Sequence, residues 1–155
     1  MIKRMAFLSC LIAILALPVR AENTTPYSGT IVIEMDQPFE AFIKRLTTAI
    51  KANKMGIVGN ACATCGARSI GVTIPGNRVM MIFNPHFAVR MLKSSVASGI
   101  EAPLRLYITE QPDGKARLTY RLPSHVFGVY KVPALDKMGT ELDVIFARIV
   151  KQATG

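Results

Sequence analysis

Imidazoles are scarce in this chain: His86 and His125 are the two histidines among 155 residues. A tetrahedral zinc site built on Cys62 and Cys65 would need two further ligands, and no spacing in the sequence brings those four residues together. Acidic residues number 10 against 19 Lys and Arg, and they are scattered, with no paired-carboxylate signature. A glycine-rich phosphate loop and a zinc-protease motif are missing. Internal repeats, low-complexity tracts and interdomain linkers are missing too. Beyond residue 21, no apolar stretch is long enough to span a bilayer. These absences leave little material for a hydrolytic enzyme, and they favour a binding role over a catalytic one.

The N-terminus does carry a signal. Lys3 and Arg4 precede an almost unbroken apolar run from Met5 to Leu17, followed by Pro18, Val19, Arg20 and Ala21. That is the layout of a secretory signal peptide cleaved after Ala21. The apolar run is short for a membrane anchor. The expected destination is therefore the periplasm or the exterior, with no stable anchor after cleavage. Removing 21 residues from 155 leaves 134, enough for one domain with a real core. Lys3, Arg4 and Arg20 leave with the signal, so 16 cationic residues face 10 acidic ones in the mature chain. Export argues against nucleic acid as the counter-ion for that charge, which serves solubility.

Cys10 also leaves, so the mature chain keeps Cys62 and Cys65 within Gly59-Asn60-Ala61-Cys62-Ala63-Thr64-Cys65-Gly66. An oxidising compartment makes their disulfide available. In an extended strand, positions three apart lie about 10 Å from one another, whereas a disulfide needs Cα atoms about 4.4–6.8 Å apart. If the pair is bonded, the chain must turn there. Four readings stay open: a passive disulfide, a redox dithiol, a metal site with His86 as a further candidate ligand, and inert thiols. Gly66 after the second cysteine excludes covalent haem attachment, which needs His there. A thioredoxin-like reading would want a βαβ context and a helix opening at Cys62, and the sequence displays neither. Met80, Met81 and Met91 are soft copper(I) ligands in principle, but methionine is more often core filler.

After a leader at residues 22–29, a single domain is expected over residues 30–153. Thr30–Met35 reads as a strand, and Pro38 opens a helix with Phe39, Phe42, Ile43, Leu46 and Ile50 on one face, capped at Gly56. Ile57-Val58 begins a second strand. Ile70–Ile74, Pro75-Gly76-Asn77 and Val79–Phe83 read as strand, turn, strand. Asn84-Pro85 starts a short helix as N-cap and first residue, with Phe87, Met91 and Leu92 facing inward. Leu104–Thr109 and Ala116–Leu122 flank Gln111-Pro112-Asp113-Gly114 as a hairpin. Ser124 and His125 fall in a loop, without a visible third member for a nucleophile system. Leu135, Met138, Leu142, Ile145, Phe146 and Ile149 mark a long amphipathic helix.

The expected order is β-α-β-β-β-(α)-β-β-α, an α+β domain with an antiparallel sheet and helices mainly on one face. The other face, carrying Arg105, Tyr107, Arg117 and Arg121, is left for solvent, ligand or a second subunit. Candidate ligand-binding residues are Asn84 and His86 at the helix start, and Arg105 and Tyr107 on the open face. No cofactor is assigned.

Phe83-Asn84-Pro85, the Ala97–Arg105 segment with Gly99 and Pro103-Leu104-Arg105, Glu110 with Asp113-Gly114-Lys115, Leu118-Thr119-Tyr120 and Pro123 together resemble the family called domain of unknown function 302. The resemblance spans roughly residues 30 to 152. It implies a TATA-binding-protein-like α+β fold and homodimerisation, and it implies no reaction.

Overall fold

The computed structural model describes residues 27–155, so the expected signal peptide and residues 22–26 of the leader lie outside it. Alternating apolar and polar residues pair five strands into one sheet. They are β1 (Thr30–Pro38), β2 (Gly56–Cys62), β3 (Asn77–Phe83), β4 (Leu104–Glu110) and β5 (Lys115–Arg121). Their spatial order is β1-β5-β4-β3-β2, and every neighbouring pair is antiparallel. Met80, Ile82, Leu106, Ile108, Ala116, Leu118 and Tyr120 point to one face and are buried. Arg105, Tyr107, Arg117, Thr119 and Arg121 alternate with them on the other face. The α+β class and the one-sided sheet expected from the sequence are what the structure has.

Helices α1 (Phe39–Ala52) and α5 (Pro133–Thr154) pack against each other, and α1 lies on the covered face of the sheet. All five apolar residues of the expected α1 stripe are buried. On α5, Leu135, Met138, Leu142, Phe146 and Ile149 are buried, and Ile145 packs at the margin of the core. The end of α1 differs from expectation. Lys54 takes the left-handed conformation (φ 58°) in place of Gly56. The Met55 N–H donates to the Ile50 carbonyl and the Lys54 N–H to the Lys51 carbonyl, a Schellman turn that drops Met55 into the core. Burial of Met55 sets the stop, and Gly56 is already β2.

Two further expectations fail. Residues 70–74 do not form a strand; α2 (Ala63–Ser69) follows β2 directly, and the chain returns to β3 irregularly. β2 is an edge strand, so a β-branched segment beyond it finds a partner only by adding to that edge. Ile70 and Val72 instead remain exposed. Ser124 and His125, expected in a loop, lie instead in helix α4 (Pro123–Gly128), which packs against α5. Pro123 supplies its first residue, and the Ser124 N–H donates to the Asp143 carboxylate at 3.0 Å. Gly139 permits this approach, since a Cβ there would stand 2.7 Å from the Ser124 Cα.

Helix α3 (Pro85–Ser94) starts as read: the Asn84 side chain accepts from the His86 N–H at 2.9 Å. Met91 faces the core, whereas Leu92 is exposed. A 3₁₀ turn over Val96–Glu101 leads into β4. The leader's last residues turn into β1, with the Thr30 N–H bonded to the Tyr27 carbonyl at 3.0 Å.

Gly139→Ala is expected to destabilise the domain by about 1–3 kcal/mol through overpacking of α4 on α5. Urea unfolding with an unchanged slope checks this. The Arg90 hydrogen bond holds the Glu141 carboxyl below its usual value, and the Lys115 hydrogen bond does the same for Asp36. A carboxylate depressed in the folded state stabilises above its unfolded pKa, roughly 4, and loses that contribution as pH falls further. The urea midpoint should therefore fall below about pH 4, and Glu141→Gln should remove part of the fall. Both pairs are exposed, so the effect is small and salt-sensitive.

Candidate functional site

β2 and α2 meet at Cys62, which ends the strand and is the N-cap of the helix. Its sulfur is bonded to that of Cys65, with the two Cα atoms 5.2 Å apart. The turn that geometry demands is the first turn of α2, a helix opening at the first cysteine that local sequence did not reveal. The βαβ half of the thioredoxin comparison is absent, because β2 and β3 run antiparallel. Cys65 is exposed and Cys62 is half-buried.

Two donors address the Cys62 sulfur. The Cys65 N–H lies 3.1 Å away and Nη2 of Arg78 lies 3.8 Å away. Arg78 is the partner of Cys62 in the β2–β3 register, which is why the two meet. Its side chain is 18% exposed and sits on the covered face beside the start of α1. There its guanidinium carbon is 6.0 Å from the Phe39 ring centroid, and Nη2 is 3.6 Å from Oε1 of Glu40. Glu40 is largely solvated, with 66% of its side chain exposed. Nε of Arg78 is buried and has no hydrogen-bond partner. A half-buried cation with an open donor beside a sulfur favours negative charge on that sulfur.

The loop around the pair is pinned. Thr64, between the cysteines, donates from Oγ1 to the Pro75 carbonyl (3.2 Å) and accepts from the Asn77 N–H (2.8 Å). Gly76 bonds Glu110 twice, its N–H to Oε2 at 2.6 Å and its carbonyl from the Glu110 N–H at 2.7 Å. It also lies against Phe39, where an added Cβ would come within 2.6 Å of the ring. These contacts hold β3, and with it Arg78, in place beneath the disulfide.

The other candidate residues lie elsewhere. Tyr107 is on the open face, where its hydroxyl accepts from Nδ2 of Asn77 at 2.6 Å. Arg105 shares that face, opposite Met81. Asn84 and His86 stand at the far end of β3. Gly56 pairs with Phe83 and Cys62 with Arg78, and at about 3.3 Å per residue the two ends of β2 are roughly 20 Å apart. Cys62, Cys65 and His86 are therefore not gathered into one ligand set. Among the described residues no three His, Cys, Asp or Glu side chains are placed to hold a metal ion. Met80 and Met91 are core residues, as read from the sequence, whereas Met81, read the same way, is half-buried on the open face opposite Arg105.

Asn84 borders a small, open apolar crevice between β3, α3 and α5, walled by residues such as Met55, Phe87, Met91 and Phe127. Its amide is already committed to the Lys54 carbonyl and the His86 N–H. His125, in α4, covers Gly29, while the backbone of Ser124 bonds Asp143. Among the described residues no hydrogen bond joins the Ser124 hydroxyl to the His125 imidazole. Arg78 is the residue sequence reasoning missed. Its signal was the antiparallel pairing of β2 with β3, hidden by the strand assigned to residues 70–74.

A crystal structure of an uncharacterized conserved DUF302 protein from Bacillus stearothermophilus has the same fold, with a TM-score of 0.73. It is 17% identical, and the alignment covers 81% of this chain and 98% of that one. No curated protein matches the chain. The sequence pattern described as "Domain of unknown function DUF302" matches residues 31–153, and the chain belongs to that family.

Proposed function

We propose that this is an exported thiol–disulfide module that exchanges disulfides with thiols through Cys62 and Cys65. The observation that carries the reading is the Arg78 guanidinium against the Cys62 sulfur. Closing a loop of about four residues stabilises a fold by only about 2 kcal/mol in the chain-entropy model, which makes this spacing a poor staple. Cys65 is open to an incoming thiolate. The N-terminal signal, read from the sequence, would deliver the pair to a compartment where disulfides persist.

A redox titration of the mature protein in glutathione buffers tests this. The expected reduction potential is less negative than about −300 mV, the level below which structural disulfides resist the glutathione pool. A more negative value would sink the reading in favour of a passive disulfide. The Cys62→Ala/Cys65→Ala variant is expected to unfold with a loss of no more than about 2 kcal/mol, whereas a much larger loss points to a structural bond.

A second reading is an interaction role, in which two copies pair through the open sheet face. It is supported by half-buried Val79, Met81 and Phe83 on β3, next to Tyr107 on β4, with Val32 exposed at the far edge of the same face. Sedimentation at high micromolar concentration should then give a dimer that Tyr107→Glu dissociates. A wild-type monomer under those conditions counts against the interface.

A further inference from the structure

Within the thiol–disulfide reading, on which this inference rests, we infer that exchange at the pair has a fixed polarity. The incoming thiolate attacks the sulfur of Cys65, and Cys62 is the leaving thiolate, received by Arg78. The two sulfurs differ in ways that all point the same direction. Cys65 is exposed, whereas Cys62 is half-buried between β2 and α2. The donors also converge on Cys62, the Cys65 N–H at 3.1 Å and Arg78 Nη2 at 3.8 Å.

Arg78 has capacity left for a stronger acceptor. Nε and Nη2 form one edge of the guanidinium; Nη2 is shared between Cys62 and a solvated Glu40, and Nε is buried without a partner. A disulfide sulfur is a weak acceptor and leaves that edge underused. A thiolate carries a full charge, and charge-assisted hydrogen bonds are about twice as strong as neutral ones. Reduction therefore creates at Cys62 an anion beside an edge whose Nε is unpartnered and whose Nη2 reaches only the solvated Glu40 carboxylate. Exchange is faster when the departing thiol has the lower pKa, so the same cation selects Cys62 as the sulfur that departs.

A thiolate RS⁻ bonds to the Cys65 sulfur as the Cys62–Cys65 bond breaks, and the bonding pair leaves on Cys62 as thiolate. A second thiolate then attacks the sulfur of R, releasing Cys65 as thiolate and RSSR. Two thiols are oxidised, one disulfide is reduced, and the co-reactant is a thiol.

The test uses oxidised mature protein with excess reduced glutathione, quenched by acid within seconds. Free thiols are then alkylated, and fragmentation of the peptide spanning residues 55–68 locates each modification. The expected result is glutathione on Cys65 and alkylation on Cys62. Glutathione on Cys62 would overturn the polarity while leaving the thiol–disulfide reading intact; an unreacted disulfide would overturn both. The role of Arg78 is read separately, from the thiolate absorbance of Cys62 in a Cys65→Ser background. A cation within about 4–6 Å shifts a pKa by roughly 1–3 units, so Arg78→Gln should raise the Cys62 value by about one unit or more. Arg78→Lys should restore part of the shift, and Glu40→Gln should move it the opposite way. An unmoved pKa in Arg78→Gln, with the fold intact by circular dichroism, would overturn the assignment of Arg78.

Discussion

One-sided burial of an antiparallel sheet is the constraint from which the other features of this domain descend. Side chains alternate across a strand, so covering one face with α1 and α5 decides the direction of the residues in β3, β4 and β5, and of β1 and β2 outside their register shifts at 34–38 and 57–59. Ile31, Ile33, Met80, Ile82, Leu106, Ile108, Leu118 and Tyr120 form the covered set. The same parity puts Arg78 on the covered side, where no fully buried cation is tolerated unpaired. It is accommodated because β3 begins at the margin of the sheet, beside the ring of Phe39, the carboxylate of Glu40 and the sulfur of Cys62.

The disulfide acts on the fold locally. A four-residue loop between bonded cysteines cannot continue as strand, so β2 ends at Cys62 and a helical turn begins. That turn places Thr64 where it caps the returning chain at Pro75 and Asn77. Asn77 in turn holds the Tyr107 hydroxyl on the opposite face of the sheet. A continuous set of hydrogen bonds thus joins the cysteine turn to the open face. The apolar crevice beside Asn84 lies at the other end of β3, separated from the cysteines by the length of the strand.

Much of the architecture was legible because its periodicities are long or sharply bounded. The apolar stripes of α1 and α5 are long, and the Asn84-Pro85 helix start and the Gln111–Gly114 hairpin carry sharp local signals; these stand as read, although α1 stops at Lys54 and not at Gly56. The errors cluster where local propensity competes with context. Ile70–Ile74 has strand composition but no free neighbour except an edge it does not join. Pro123–Gly128 is too short for a visible period, and its helix is selected by packing on Gly139. At the site, the cysteine pair and its required turn were readable, whereas the cation beside them was not.

The amino-acid order by itself determined the α+β class, the alternation that leaves one sheet face open, and a turn at Cys62–Cys65 if the two are bonded. These depend on chain geometry within a few residues. Tertiary structure alone decided that Cys62 faces Arg78, that His86 stands at the far end of β3, and that Gly139 sits beneath α4. The reason is register. A contact between strands depends on the intervening turn, and here a helix opening at the disulfide, followed by an irregular return, pairs β3 with β2 where local composition suggested a hairpin with residues 70–74.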